Sequence, residues 1–139
     1  MYLLDTNVIS ELRSPRSRKA DPGVLRWAQG VPSIFLYLST VTIFELQLGM
    51  LRLERHDPLQ SSLLRTWIED RVLPGFEGRI LSLDVEVAQC CAALHVPNPK
   101  PERDAMIAAT ALVHGLTVVT RNVTDFASTG VRLHNPWDS

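Results

Sequence analysis

Residues 1–13 read MYLLDTNVISELR, and the fold class turns on them. A short apolar run, Tyr2, Leu3 and Leu4, stops at Asp5. Thr6 and Asn7 follow, and an amphipathic pattern begins. An apolar run bounded by a cap residue reads as a buried strand feeding a helix. Asp5 then falls at the carboxyl end of the first strand, where open α/β sheets place their ligands. Alone, Asp5 or Asn7 could be a helix cap and nothing more. Asp5 gains chemical meaning only if other parts of the chain bring partners to the same edge.

Outward from this stretch, strands and helices alternate. SPRSRKADPG, with Arg16, Arg18 and Lys19 inside it and Arg13 just before, is a loop by composition and reads as a solvated connector. Asp21-Pro22 starts a short helix that ends near Gly30. Residues 34–40 (IFLYLST) are aromatic and β-branched enough for a strand. Residues 41–55 then turn helical with apolar side chains on nearly every side, which predicts a largely buried helix. Glu45 stands inside it, and a buried carboxylate is costly unless paired, hydrogen-bonded or bound to metal. Arg52 is the nearest candidate partner, and Gly49 leaves room beside the carboxylate.

Asp57-Pro58 opens a helix whose Leu59, Leu63, Leu64, Trp67 and Ile68 form a stripe suited to core or interface. PGFEGR is a turn, residues 79–83 a third strand, and Asp84 caps the helix VEVAQCCAALHV, which Pro97, Pro99 and Pro101 end. His95 carries no assigned chemistry. RDAMIAATALVHG is a strongly marked helix closed by Gly115. Asp104, Ile107, Ala108 and Ala111 share one of its faces, and Met106, Ala109 and Val113 the opposite one. LTVVT (116–120) is a fourth strand, apolar throughout as a parallel strand buried on both faces should be. Arg121, Asn122 and Asp125 lie just past its carboxyl end, and VRLHNPW supplies a fifth short strand. The ordering predicts one α/β domain over residues 1–139, a central parallel sheet of four to five strands with helices on both faces.

With a formal net charge of −1, no global basic field draws this chain to nucleic acid, so such binding must rest on local Arg groups or metal ions. Cys90 and Cys91 are adjacent on a helix and point to different faces, which argues against a joint metal site and for small core residues in a reducing compartment. No basic leader precedes a long apolar segment, and no run approaches the ~18 apolar residues of a membrane span. The expectation is a cytoplasmic protein without a membrane partner.

Asp5 and the Asn122/Asp125 pair both follow strands expected to be parallel, so they share one sheet edge. Glu45 and Asp104 lie early in helices, and Glu45 follows such a strand closely. Acidic and amide groups thus converge on one cleft, where bare carboxylates a few ångströms apart repel by several kcal/mol at an effective dielectric of about 20. Convergence makes physical sense mainly around a divalent cation. All donors are oxygens, so Mg2+ or Mn2+ fits and zinc does not. Such an ion polarises a phosphodiester and activates water. There is no GxxxxGK[ST], GxGxxG or GxSxG, which removes NTPase, dinucleotide and serine-hydrolase readings.

Four ordered stretches, LLDTNVISEL, FELQLG around Glu45, RDAMIAATA around Asp104 and TVVTRNVTDF, together with the closing NPW, resemble the PIN domain over nearly the whole chain. Within that family the sequence is similar to the VapC toxins of type II toxin–antitoxin systems and their FitB-like branch. The resemblance implies a Mg2+- or Mn2+-dependent endoribonuclease acting on RNA, usually a homodimer, held inactive by a cognate antitoxin. By motif position it implies that Asp5, Glu45 and Asp104 are the three principal acids. Where the family commonly carries a fourth acid this chain has Asn122, whose carbonyl oxygen can still serve, with Asp125 close enough to substitute. Thr6 and Thr120 would hold water or phosphate behind the acids.

A different class of reading is a catalytically silent PIN-like module that holds RNA or a partner peptide. Asn122 motivates it, and retention of Asp5, Glu45 and Asp104 opposes it. A phosphatase with an aspartyl nucleophile would want DxD at the first strand, and here the third position is Asn7.

Overall fold

The computed structural model describes residues 1–13 and 20–138. β1 (Tyr2–Leu4) runs into α1 (Thr6–Arg13), and after α2 (Pro22–Gln29) the chain enters β2 (Leu36–Ser39) and α3 (Thr40–Glu54). α4 (Pro58–Trp67) continues through a π turn (Ile68–Val72) into a short α5 (Leu73–Gly75). Pro74 has no N–H to return to the preceding turn, which accounts for the widened stretch ahead of it. β3 (Ile80–Leu81), α6 (Val85–Leu94), α7 (Glu102–His114), β4 (Thr117–Val119), α8 (Val123–Phe126) and β5 (Leu133–His134) complete the order. The basic residues Arg16, Arg18 and Lys19 of the first connector lie outside the described residues.

The five strands form one sheet in the order β3-β2-β1-β4-β5, every neighbouring pair parallel. Leu3 is the centre of the register, opposite Tyr37 on one side and Val118 on the other. Successive strand residues point to opposite faces, and both faces are buried. Leu4, Leu36, Leu38 and Val119 pack with Val8, Ile9, Leu46, Met50, Ile68 and Val72 on one side. Leu3 and Val118 pack with Ile107, Ala108, Ala111 and Phe126 on the other. α6 adds a further layer by laying Val87 and Cys91 on Ala105 and Ala109 of α7. One face of α7 thus packs on the sheet through Ile107, Ala108 and Ala111, and the opposite one on α6 through Ala105 and Ala109.

Local signals held closely. Asp21, Asp57 and Asp84 cap α2, α4 and α6 by accepting N–H bonds from Val24, Gln60 and Val87 at 3.2, 3.2 and 3.0 Å. Gly115 ends α7 at φ 69°, a left-handed conformation that glycine adopts without a Cβ penalty. Cys90 and Cys91 are free thiols, half-buried and buried.

Three expectations need correction. Residues 34 and 35 are not strand: Ser33–Phe35 form a 3-10 turn after Pro32, closed by the Phe35 N–H on the Pro32 carbonyl at 3.0 Å. The third strand is only Ile80–Leu81, because the Leu83 N–H leaves the sheet for Thr40 Oγ1. α3 is not largely buried: Phe44 is 55% exposed and Leu51 52%. A helix apolar all round was read as core, but its outer face is only partly covered by the described residues.

Candidate active site

The strand order reverses between β1 and β4. From β1 the chain builds outward through β2 and β3, then returns to place β4 and β5 on the other side. Ligand crevices in open α/β sheets form outside the carboxyl ends of the strands at such a reversal. Asp5 follows β1 there, and Thr120 follows β4. Asp5 N–H donates to Val119 O at 2.9 Å, so the sheet ladder itself holds the acid at the crevice. α3 starts where β2 ends, which keeps Glu45 near this edge. α7 precedes β4 and runs back along it, so its first turn, with Asp104, reaches the same edge from the opposite face.

Asp5 is buried, with 5% of its surface exposed. Its Oδ1 accepts the Thr6 N–H at 2.8 Å, and Oδ2 accepts the Thr120 hydroxyl at 2.8 Å and Asn7 Nδ2 at 3.3 Å. The cap reading is thus half right, since one oxygen serves the helix start while the other faces β4. Thr6 Oγ1 donates to Glu45 Oε1 at 2.6 Å, and Glu45 Oε2 pairs with Arg103 at 3.5 Å. The partner of Glu45 is therefore Arg103 of α7, not Arg52, and Glu45 is half-buried rather than enclosed. An i+7 partner on the same helix was a guess from one element; the real one arrives across the fold.

Thr6 and Thr120 each spend their single hydroxyl proton on a carboxylate. They orient the acids. Asn122 enters through its backbone, its N–H donating to Thr120 Oγ1 at 2.9 Å, and it stands exposed at the start of α8. Asp125 is also exposed, one turn on. Asn7, which stood only as a possible cap, is a true member of the network: its Oδ1 accepts the Arg121 N–H at 3.4 Å, and its amide lies 3.4 Å from Thr120 Oγ1. Arg103 was missed as well, although its place beside Asp104 was a visible signal.

Electrostatics tie the acids into one group. Asp5 is raised above the ordinary carboxylate range, chiefly by desolvation, with the Thr120 hydroxyl and the Thr6 amide pulling back and the Glu45 and Asp125 charges pushing further up. Asp104 is raised to about 6 by desolvation and by the charges of Asp5, Asp125 and Glu45. Asp5 and Asp104 therefore both feel the charges of Glu45 and Asp125. Among the described residues no three His, Cys, Asp or Glu side chains stand as a ready-made set of metal ligands. The donor chemistry nonetheless fits a hard cation: oxygen atoms only, excess negative charge, and carboxylates that resist ionising together. Mg2+ suits such an open arrangement because it keeps several waters and takes few carboxylates directly.

One consequence is testable at Thr120. Thr120→Val keeps the shape but strands the Asn122 N–H and removes a hydroxyl donor from Asp5. Melting should report a loss of about 1–3 kcal/mol, and NMR titration a further rise in the Asp5 pKa. An unchanged Asp5 titration would remove the hydroxyl from this role.

Against known proteins, the family model described as "PIN domain" matches residues 2–131. A VapC ribonuclease from Sinorhizobium fredii is 34% identical over 145 residues, 99% of each chain. Toxin FitB from Neisseria gonorrhoeae is 37% identical over 142 residues, again 99% of each. The crystal structure of FitAcB from the same organism superposes with a TM-score of 0.90 at 36% identity, covering 100% of both chains. A likeness that runs the full length, through every strand and every acid-bearing stretch, leaves one conclusion: this chain belongs to the PIN-domain family and resembles its VapC-type, FitB-like branch.

Proposed function

We propose that residues 1–139 form one nuclease domain, a Mg2+- or Mn2+-dependent endoribonuclease that hydrolyses RNA phosphodiester bonds as the toxin of a toxin–antitoxin pair. The observation that carries this reading is that Asp5 and Asp104 meet at the strand-order reversal, both raised by desolvation and by the charges of Glu45 and Asp125. Similarity to a protein named a VapC ribonuclease and to one named a toxin supports it. Asp5, Glu45 and Asp104, with Asp125 and the amide oxygen of Asn122 at the rim, are the residues that would hold the ion. When bound, it polarises the phosphodiester and lowers the pKa of an attacking water. Thr6 and Thr120 fix the rotamers of Glu45 and Asp5, so little reorganisation is needed when substrate arrives. Arg103 offers a cation to a phosphate at the same edge.

The partners follow the same reading: RNA as substrate, a cognate antitoxin as inhibitor, a second copy as homodimer partner, and the cytoplasm as place of action. Leu51, Leu59 and Leu63, all more than half exposed on α3 and α4, form an apolar surface for a protein contact. Of the α4 stripe read as core or interface, Leu59 and Leu63 are exposed, whereas Trp67 is half-buried under the Arg13 guanidinium, 5.8 Å from its ring. Among the described residues no helix is long and apolar enough to cross a membrane.

The test couples pH to metal. Asp104 has a folded pKa of about 6 against 3.8 for an unperturbed aspartate, so between these values the folded state holds more protons than the unfolded one. Metal-free stability therefore falls as pH rises through that window, and Asp5 acts in the same direction. A divalent ion that binds only the folded chain restores about 2.7 kcal/mol at a hundredfold excess over Kd. Melting should rise clearly with Mg2+ at pH 7.5 and little at pH 4.5, where protons compete for the carboxylates. RNA cleavage should vanish in EDTA. No Mg2+ effect at pH 7.5, with cleavage persisting in EDTA, would overturn the proposal.

A further inference from the structure

Beside the acid cluster lies a separate cleft of about 480 Å³, within the roughly 300–1,000 Å³ of small-ligand sites. Thr40, Val41 and Phe44 of α3 form one wall, Glu102, Arg103 and Met106 of α7 the other, and Leu83 closes the third side. The Leu83 N–H donates to Thr40 Oγ1 at 3.3 Å and so ties that side to α3. The walls belong to the helices that carry the acids: Phe44 immediately precedes Glu45, and Arg103 immediately precedes Asp104. The cleft begins where the acid cluster ends.

Its chemistry is particular. Phe44 is a large ring left 55% exposed, with the Arg103 guanidinium 5.1 Å from its centroid. Arg103 is held there by Glu45, an acid of the cluster itself. An open aromatic face next to a guanidinium plane is the surface on which proteins stack the unpaired bases of single-stranded nucleic acid, and Arg also answers phosphate. Val41, Leu83 and Met106 supply apolar edges, while Thr40 and Glu102 supply polar groups for a base edge. A second Arg–aromatic pair follows Thr120, whose hydroxyl binds Asp5: Arg121 lies 5.5 Å from the Trp137 ring.

We propose that this cleft takes one unstacked nucleobase of a single-stranded RNA, its ring laid on Phe44, next to the phosphate bound at the acids. The proposal rests on the ribonuclease reading above. It makes Phe44 a determinant of substrate position and not of bond cleavage.

The experiment measures kcat and KM on a fluorescently labelled single-stranded oligoribonucleotide with Mg2+, for the wild type, Phe44→Ala and Phe44→Trp. Phe44→Ala should raise KM about tenfold, in line with the loss of one stacked base, and leave kcat within about twofold. Phe44→Trp should restore KM. Oligomers carrying one abasic position, moved along the strand, should show a KM penalty at a single site near the cleaved bond in the wild type. That penalty should disappear in Phe44→Ala, as two changes to one contact do not add. Melting and sedimentation of each variant accompany the kinetics. An unchanged KM in Phe44→Ala, or an abasic penalty that persists in it, overturns the base cleft while leaving the nuclease standing. Unchanged KM with a lost dimer assigns this face to protein contact instead. A wild type that cleaves nothing withdraws both readings.

Discussion

Asp104→Asn should lower Mg2+-dependent RNA cleavage by about a hundredfold or more while leaving the metal-free fold intact. Mutating groups that merely support a metal ligand typically costs 10- to 100-fold, so removing a ligand's charge should cost at least as much. Stability moves the other way. Asp104 carries its charge against desolvation and against Asp5, Asp125 and Glu45, and the amide escapes that repulsion at nearly constant volume. Above pH 6 the variant should melt at or above the wild-type temperature without metal, and its response to Mg2+ should shrink. Single-turnover cleavage and paired melts with and without Mg2+ check both halves. Full cleavage by the variant would take Asp104 out of the proposed centre. A marked drop in metal-free melting temperature would mean instead that its charge is structural.

Phe126→Ala should destabilise the chain by about 3–5 kcal/mol, the range for emptying a buried aromatic site. Phe126 is fully buried in the core of the α7 face. It is the anchor of α8, a helix of only four residues whose Asn122 cap and Asp125 are exposed. Thr129 holds the same residue from behind, its hydroxyl donating to the Phe126 carbonyl at 2.6 Å. With the anchor gone, Asp125 should drift from the acid group, and the Asp104 pKa should fall from about 6 as one repelling charge recedes. Urea unfolding measures the first effect and NMR titration of Asp104 the second. A cost under 1 kcal/mol would mean that α8 is held by something other than this ring.

The alternation of elements and the acids that end or open them were legible because each rests on local chemistry. Asp21-Pro22, Asp57-Pro58 and Asp84 announce helix starts through their own side chains, and LTVVT announces a strand buried on both faces. The placement of Asp5 at a parallel edge followed from strand and helix alternation alone. What escaped was set by distant chain. Arg103, 58 positions from Glu45, pairs with it only because α7 returns along the sheet. Phe44 reads as core by composition, but α7 approaches it only with Arg103 over its ring, across a cleft, and leaves it 55% exposed. Asn7 was visible as a cap candidate, but its bond with the Arg121 amide exists only once β4 lies beside β1. The strand ends at 34–35 and 82–83 were lost to a proline turn and to a single threonine hydroxyl.

The pairing of β1 with β4 also fixes when in the life of a molecule the site can exist. Asp5 and Thr120 are 115 positions apart, and the ladder that seats Asp5 ends on Val119. At about 5–20 residues per second of synthesis, roughly 6–23 seconds separate the two on a ribosome. Until that interval ends the first strand has no β4 neighbour and Asp5 has no Thr120 hydroxyl, and for most of it Glu45 has no Arg103. The acid-bearing segments thus leave the ribosome one after another as unconnected pieces. β4, which seats Asp5 between its neighbours, follows all three acids in the chain, so the hydrogen bonds around Asp5 close only after Thr120 has emerged.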